Sequence, residues 1–433
     1  MTDMRRFRIP EAIVTIALAV LVVRCAAQAP AAALTREVPW SGKGVWLAAD
    51  THVHTKFSDG AGTPAETTAK ARSFGCDVVG FADHGDNDRK GATTEYFDAI
   101  DEARRAQPEM VVMGGMEWNL PPWGGDEHAT VFVPASKERR LTEFKASFDD
   151  YGRDKHDAAL AVAGLQWLAA QATDGATKPV VTYEHPSRKD AKSMENVDDM
   201  RAWRKVNDVV IGFAGAPGHQ GKPPIGSYNY NEKPIDRWDP VAARPGDAWD
   251  TLLKGGLDIW GAYAPSDYHT ADQNDVGDTW PCEFTKTWIY APDRTQNGVL
   301  RALRAGSFFG VHGGIAERVE IGVTAKGLAR AAGAGEALRV ASGTSVIVEV
   351  TMEVPSKDWR GEPNRIDLVE IIGIDATGAK VMASAPAASG PALSLAVTVP
   401  ATGLVVRARG FRTLTDGSRL AFYTNPVRIQ TTR

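Results

Sequence analysis

Histidine and carboxylate residues recur along the first two thirds of the chain, mostly where an apolar run gives way to a loop. His52 and His54 stand two residues apart, so in a strand their imidazoles point to one side and could hold one metal ion. If neighbouring strands end at one rim, further residues could join the same metal centre: Asp59, His84, Glu117, His128, His185, Asp267 and His269.

The donor types indicate which chemistry such a centre would perform. Imidazole nitrogen and carboxylate oxygen without thiolate suit zinc, manganese or iron, and mixed carboxylates favour ions that share a ligand. A water or hydroxide between two ions is acidic enough to attack a phosphorus or acyl centre near neutral pH. We therefore expect a hydrolase whose divalent ions are bound by these histidines and carboxylates.

Other charged residues near these ligands could serve a substrate. His219 follows another apolar run and could contact substrate or act as an acid, whereas His156 and His312 are expected to be structural. Asp83 and Glu184, each beside a ligand histidine, could orient ligands through hydrogen bonds. Three cations could meet phosphate oxygens or remain solvated loop charges: Lys56, Arg89 and Arg188.

The elements that must position these residues alternate between strands and helices over residues 48–314. Thr63 and Glu66 form a capping box that starts a helix, and the helix should end near Ser73. With roughly 265 residues, this α/β region has the size of a strand–helix barrel, whose active site lies at the carboxyl ends of the strands. Strands are predicted at residues 77–82, 110–116, 129–133, 179–183, 209–214 and 257–264.

The last part of the chain, residues 315–433, has a different texture. Apolar residues alternate with polar ones in runs at 345–354, 365–374, 393–399, 404–410 and 420–429, separated by turn residues. This pattern predicts a C-terminal β-sandwich domain. Because the last histidine is His312, this domain cannot supply the histidine cluster.

Composition narrows the possible partners. The chain has 433 residues, enough for two domains, and 54 acidic against 49 basic residues give a net charge of −5. This balance argues against a nucleic-acid surface and leaves a small molecule as the expected partner. The oligomeric state does not follow from these residues.

The first 29 residues have the pattern of an export signal. A basic start with Arg5 and Arg6 is followed by the apolar run 13–23, which is too short for a confident membrane span, and then by small residues. We expect cleavage near Ala29, a linker over residues 30–47, and a periplasmic or extracellular protein. Lipid anchoring at Cys25 is disfavoured because Arg24 precedes it.

Two cysteines, Cys76 and Cys282, remain after the signal is removed. They could pair in an oxidising compartment. However, Cys76 lies beside the apolar run 78–81, so the favoured expectation is a buried, unreactive thiol.

The ordered set of motifs His52-Val53-His54, Ser58-Asp59-Gly60, Asp83-His84, Glu117, His128, Glu184-His185-Pro186 and Asp267-Tyr268-His269 resembles the PHP (polymerase and histidinol phosphatase) superfamily. The resemblance covers about residues 48–314 and implies a distorted seven-stranded TIM-like (β/α)7 barrel that holds up to three ions. The export signal and the C-terminal β domain are similar to the periplasmic carbaryl-hydrolase-like branch of that family.

The resemblance also implies how the ligands divide among the ions. One ion would take His52, His54, Glu117 and Asp267, and Glu117 would bridge to a second ion. The second ion would add His128 and His185, and the third would take Asp59, His84 and His269. Many family members have histidine where Asp59 stands, and this difference concerns the third ion. The resemblance therefore implies two or three divalent ions, with Glu117 and Asp267 as catalytic ligands.

Three functions remain open on sequence grounds. A phosphoesterase acting on mono- or diesters is favoured, and a metallohydrolase of carbamate, ester or amide bonds is the alternative. A non-catalytic metal-dependent binding protein is the third. Amidohydrolase barrels also begin with His-x-His, but they commonly use a bridging lysine, so Glu117 and the Asp267/His269 pair favour the PHP superfamily.

Overall fold

The computed structural model describes residues 32–86, 88–187, 193–216, 218, 234–270, 279–386 and 393–432. These residues form a mixed α/β structure with helices concentrated before residue 306 and strands throughout. Among the described helices, none combines the length and apolarity that crossing a bilayer requires.

The described helices all belong to the first part of the chain. They are α1 (Pro64–Ser73), α2 (Thr94–Ala106), α3 (Leu141–Phe148), α4 (Ala158–Ala169), α5 (Ser193–Val206), α6 (Pro240–Ala243), α7 (Ala248–Lys254) and α8 (Gln296–Ala305), and a 3-10 helix spans Ala135–Arg140. The capping box predicted for α1 is confirmed: Thr63 Oγ1 accepts a bond from Glu66 N, and Glu66 accepts one from Thr63 N.

The described residues before 313 form eleven strands. They are β1 (Ala33–Arg36), β2 (Val45–Val53), β3 (Val78–Phe81), β4 (Val111–Gly114), β5 (Met116–Asn119), β6 (His128–Phe132), β7 (Val180–Tyr183), β8 (Val210–Ala214), β9 (Trp260–Tyr263), β10 (Thr285–Ala291) and β11 (Phe308–His312). The single strand predicted over residues 110–116 is wrong, because the chain leaves one sheet after β4 and enters another at β5. Glu117 therefore lies within a strand and not at a strand end.

Two sheets carry the α/β region. Strands β10, β2, β3 and β4 are neighbours in a large sheet, whereas β5 to β9 form a five-stranded sheet in chain order. The strand–helix barrel expected from the sequence would have parallel neighbouring strands, but β6 is antiparallel to β5 and β7, and β10 is antiparallel to β2. The short loop between β5 and β6 allows only a hairpin. The two sheets meet where Glu117 N, in β5, donates to Asp83 O, just after β3, at 3.1 Å, but closure into one seven-stranded barrel stays a prediction.

In the described part of the chain after residue 315 there are nine strands. They are β12 (Glu317–Ala325), β13 (Ala337–Ala341), β14 (Ser345–Glu353), β15 (Leu368–Asp375), β16 (Gly378–Ala385), β17 (Leu393–Thr398), β18 (Leu404–Thr413), β19 (Arg419–Thr424) and β20 (Val427–Thr432). The run predicted as one strand over 420–429 is split between β19 and β20. Strands β12, β14 and β17 form a separate sheet whose valines share a core with β15, β18 and β19.

The C-terminal strands are continuous with the α/β region, which differs from the independent β-sandwich expected from the sequence. β19 pairs with β11, so the large sheet runs from β4 through β11 into the C-terminal strands without a break. The linker expected over residues 30–47 contains β1, which pairs with β13 because Leu34 packs against the C-terminal core.

A buried ion pair fastens the C-terminal strands to a helix of the α/β region. Arg407 in β18 donates from Nε and Nη2 to the two carboxylate oxygens of Asp250 in α7, at 2.8 and 3.0 Å. Both side chains are at most 1% exposed, and the guanidinium lies 4.6 Å from the centre of the Trp249 ring. Each buried charge is therefore stabilised by the other and not by water.

Cys76 and Cys282 form a disulfide, with Cα atoms 5.6 Å apart, so the expectation of a free buried thiol is wrong. The two residues are 206 positions apart, and sequence alone could not show that β3 and the segment before β10 flank the same strand, β2. The disulfide fixes the segment that follows the last predicted ligand, His269.

Removing one partner of the buried pair should be costly, because it leaves an unpaired buried charge. We expect Arg407→Met and Asp250→Ala each to lower the free energy of unfolding by about 3–5 kcal/mol, and the double variant to lose much less than the sum. Urea unfolding measures all three values. The exposed pair Arg318–Glu353 is the control and should contribute at most about 1 kcal/mol; equal losses for the two pairs would contradict this account.

Candidate metal centre

The end of β2 supplies two histidines to a buried cluster. Both His52 and His54 have no exposed surface, and their Nε2 atoms lie 3.1 Å apart. The backbone of His54 donates to Tyr268 O at 2.8 Å, which brings the segment containing Asp267 alongside β2. Both imidazoles therefore face the same interior space, as their spacing predicts.

Glu117 lies at the centre of the histidines. Its backbone bonds to Asp83 O at 3.1 Å, so the first strand of one sheet meets the end of β3 in the other. Its two oxygens contact four imidazoles that come from four different segments, with Oε1 near His128 (3.1 Å) and His185 (3.3 Å) and Oε2 near His84 (3.2 Å) and His54 (3.3 Å). The buried Glu117 carboxylate thus lies at the point where the two sheets meet.

Asp267 closes the other side of the β2 histidines. Its Oδ1 lies 3.1 Å from His52 Nε2 and 3.2 Å from His54 Nε2. Asp267 adopts a φ of 53°, a left-handed conformation that is uncommon outside glycine. Gly218, with a φ of 81°, approaches so closely that a Cβ there would lie 2.3 Å from the Asp267 Cβ. Glycine is therefore required at that position.

Asp59 forms the outer edge of the cluster and is its most exposed carboxylate, with 34% of its side chain accessible. Its Oδ1 lies 3.3 Å from His54 Nδ1 and 3.6 Å from His269 Nε2, and its Oδ2 lies 3.6 Å from His84 Nε2. The nine predicted ligands are thus brought into one cluster, although they span residues 52–269.

The donor arrangement fits metal ions. The ligand atoms lie within 4.8 Å of one another in three groups: His54, Asp59, His84 and His269; His52, His54 and Asp267; His84, Glu117 and His128. His54 and His84 each take part in two groups. The partition among three ions implied by the family resemblance stays a prediction, and His185 joins only through its contact with Glu117.

His84 gives a separate indication that a cation belongs here. Its Nδ1 is buried and, among the described residues, has no hydrogen-bond partner, yet it faces Glu117 Oε2. Burial lowers the pKa of His84 well below its usual value, with the charges of His128 and His54 acting in the same direction. An imidazole nitrogen and a carboxylate oxygen that face each other in this way are both ligand atoms that a shared cation could bind.

The histidines of the cluster lower the pKa of its buried carboxylates. Burial alone would raise the pKa of Glu117, but the neighbouring His128, His84 and His52 hold it well below its usual value. The same balance, with His52 and His54 as partners, lowers the pKa of Asp267. Although burial opposes this shift, the same carboxylates raise the pKa of His52 and His54. Because metal binding must displace protons from these two imidazoles, metal affinity should fall as pH falls.

Hydrogen bonds outside the cluster orient the ligand rings. Nε2 of His128 lies 3.0 Å from Gly125 O, which leaves Nδ1 facing Glu117, and Nδ1 of His269 lies 2.8 Å from Asp267 O, which leaves Nε2 facing Asp59. Nδ1 of His52 lies 3.6 Å from Glu184 Oε2, in agreement with the orienting role considered for Glu184. Such contacts fix the tautomer of a ligand histidine.

Asp83 acts on the loop after β2 and not on its neighbour His84. Its carboxylate accepts bonds from Thr55 N and Thr55 Oγ1, each at 2.8 Å, and from Ser58 Oγ at 2.7 Å. Ser58 Oγ in turn lies 3.2 Å from His54 Nδ1. The Asp83–Ser58 chain therefore positions His54, a role that the sequence did not reveal.

The structure describes two of the four residues considered for substrate contact. Arg89 lies at the cluster, with Nη1 3.2 Å from Asp59 Oδ2. Lys56 is exposed, and its charge acts on Glu66 at the start of α1. His219 and Arg188 lie outside the described residues.

The two histidines expected to be structural are away from the ligands. Nδ1 of His156 lies 2.9 Å from Asp150 Oδ2, and His312 is buried against the rings of Trp238 and Phe284.

Thr130 and Gly125 are contacts that sequence reasoning missed. Thr130 Oγ1 lies 2.5 Å from His52 Nδ1, and it is opposite Glu117 in the β5–β6 hairpin. Recognising that residues 116–119 form a separate strand paired with 128–132 would have placed Thr130 beside the cluster. Gly125 acts through its backbone carbonyl, for which residue type gives no signal.

The buried cluster of imidazoles and carboxylates could hold metal ions, and the family match supports a metal-dependent hydrolase. Residues 50–158, about a quarter of the chain, match the family model of the PHP domain. That match covers Asp59, Glu117 and the first histidines of the cluster, and it supports placing this region in the PHP superfamily. No match was found among curated proteins.

Solved structures offer distant likenesses. A two-domain protein from Bacteroides vulgatus, described as containing a predicted PHP-like metal-dependent phosphoesterase, has 13% identity and a TM-score of 0.42 over 91% of this chain and 97% of its own. An amidohydrolase from Chromobacterium violaceum has 15% identity and a TM-score of 0.29 over 53% of this chain and 89% of its own. At these TM-scores the likenesses support no functional argument.

Mutation of Ser58 can test whether its contact with His54 positions this ligand. Ser58→Ala removes the bond that orients His54, and we expect metal affinity to fall by about 10–100-fold with little change in thermal stability. Equilibrium dialysis against Mn²⁺ with metal analysis measures this. Ser73→Ala is the control, because the Ser73 hydroxyl bonds only to Lys70 O at the end of α1. Unchanged metal affinity in Ser58→Ala would show that Ser58 does not position His54.

Proposed function

We propose that this protein is a metal-dependent phosphoesterase that cleaves a phosphomonoester or phosphodiester. The observation that carries the proposal is the contact of the buried Glu117 carboxylate with four histidines at 3.1–3.3 Å. Each of the four imidazoles can bind a metal ion once it is neutral. A carboxylate whose two oxygens contact all four is suited to hold two cations close together.

Divalent ions bound to these ligands would acidify water and neutralise the charge that develops on the ester oxygens. The protein's own groups hold and orient them: Glu117 between the two sheets, Asp267 beside the β2 histidines, and Glu184, Thr130 and Ser58 behind the ligand rings. We assign Glu117 and Asp267 the catalytic ligand roles. The acid role considered for His219 remains a proposal without structural support. Zinc, manganese and iron suit these donors equally well.

The partly exposed Arg89 favours a phosphoester over an uncharged substrate. Its guanidinium lies at the edge of the cluster, where it could bond an anionic oxygen in a planar, two-point manner. A neutral carbamate or carboxylic ester presents no such charge. The preference is therefore electrostatic, and it can be tested directly with a substrate panel.

We also propose that the protein is exported and belongs with the periplasmic carbaryl-hydrolase-like branch. The basic and apolar start of the sequence supports export, and the Cys76–Cys282 disulfide supports an oxidising compartment. The mature protein should begin near Pro30 and have no free thiol at Cys76 or Cys282. Intact-mass measurement with and without reduction checks both points; retention of Met1 together with two free thiols would contradict export.

Replacing the central carboxylate should disable the site. Glu117→Gln keeps the size of the side chain but removes the charge that holds two cations together, so we expect lower metal content and a turnover reduced by orders of magnitude. The assay is hydrolysis of phosphomonoesters, phosphodiesters and aryl carbamates or esters by metal-reconstituted protein. Phosphoester cleavage should dominate.

Glu109→Gln is the matched control, because Glu109 is 72% exposed and its ion pair with Arg72 lies on the surface. It should leave metal content and turnover unchanged. Carbamate or carboxylic ester cleavage without phosphoester cleavage would overturn the proposed substrate. Equal metal content in Glu117→Gln and the wild type would overturn the bridging role of Glu117.

A further inference from the structure

Arg89 is the one cation in direct contact with a predicted ligand among the described residues. Its Nη1 lies 3.2 Å from Asp59 Oδ2, and its Nε lies 3.4 Å from Asp86 Oδ2. About a third of the Arg89 side chain is exposed, in common with Asp59. The other ligand carboxylates, Glu117 and Asp267, are almost completely buried.

The two oxygens of Asp59 are used differently. Oδ1 faces His54 and His269, whereas Oδ2 faces His84 and Arg89. A metal ion bound by the group His54, Asp59, His84 and His269 would therefore meet the positive guanidinium at the same carboxylate. Two cations that share one carboxylate repel each other at a few ångströms, and the outer ion is the one affected.

The Arg89 side chain can leave Asp59 because Asp86 is a second partner for it, and hydrogen bonds hold the backbone around Arg89 in place. Lys145 Nζ donates to Arg89 O at 2.9 Å and to Gly91 O at 3.0 Å, and Lys90 N donates to Phe57 O at 2.7 Å. The buried carboxylate of Asp86 lies within reach of the Arg89 guanidinium. The side chain can therefore leave Asp59 for Asp86 without movement of the loop.

We propose that Arg89 competes with the outermost metal ion for Asp59 and so makes the protein bind that ion less tightly than the other two. This inference rests on the proposed metal centre. The ions at Glu117 and Asp267 are out of reach of Arg89 and bind tightly, whereas the ion at Asp59 exchanges readily. Binding of the outer ion releases Arg89 Nη1 from Asp59, while Nε stays near Asp86, and Nη1 then becomes available to an anionic group of the substrate.

The test is metal binding without turnover. Chelator-treated protein is titrated with Mn²⁺ by equilibrium dialysis and metal analysis, and the wild type should show two tight sites and one weaker site. In Arg89→Gln the weakest site should tighten by about three- to tenfold, the size expected for a partly exposed ion pair facing a divalent ion, and the two tight sites should not change. Arg294→Gln is the control, because Arg294 is 54% exposed and pairs with Asp77 away from the cluster.

Asp86→Asn gives a test of opposite sign and remains informative if Arg89→Gln does not fold. It weakens the second partner of Arg89, so Arg89 should stay on Asp59 and the weakest site should bind Mn²⁺ still less tightly. An unchanged or weakened third site in Arg89→Gln, or a tightened one in Asp86→Asn, would overturn the competition. Three sites without any phosphoester hydrolysis would instead overturn the proposed function alone, and absence of all Mn²⁺ binding would overturn both.

Discussion

The contact of one buried carboxylate with imidazoles from four segments is the constraint on which the rest of the structure depends. Burial alone would raise the pKa of Glu117 in an apolar interior, and the surrounding imidazoles, His128 foremost, lower it well below its usual value. The same geometry is what cations require. Burial, charge and metal affinity at this site are therefore consequences of one arrangement, and changing Glu117 alters all of them together.

The surrounding fold keeps that arrangement in place from several directions. The meeting of the two sheets at Gly115 and Glu117 positions the central carboxylate, and the disulfide between Cys76 and Cys282 anchors the segment after the Asp267 loop. Asp50, whose pKa burial raises to about 6, accepts bonds from Ser266 N and Cys282 N, so it links β2 to both sides of the same loop. The C-terminal strands extend the sheet that carries β2 and so add to its rigidity.

Sequence predicted the parts that depend on residue type and spacing. His52 and His54 sharing one side, the capping box at Thr63 and the convergence of nine ligands follow from local patterns that the fold preserves. The change of sheet at Gly115, the Cys76–Cys282 pairing and the continuity of β11 with β19 depend on contacts between residues far apart in the chain, which one sequence does not show. The role of Ser58 and the contact of Arg89 with Asp59 were missed because they depend on distances of a few ångströms between loop side chains.

The central claim is that Glu117 binds two ions at once. Crystals of the protein reconstituted with Zn²⁺ or Mn²⁺, measured at the absorption edge of the metal, locate the ions by anomalous scattering. The account predicts two peaks, each about 2.0–2.2 Å from a different oxygen of Glu117, with His128 and His185 on one and His52 and His54 on the other. A single ion bound to Glu117, or ions that leave Glu117 without a metal ligand role, would contradict it.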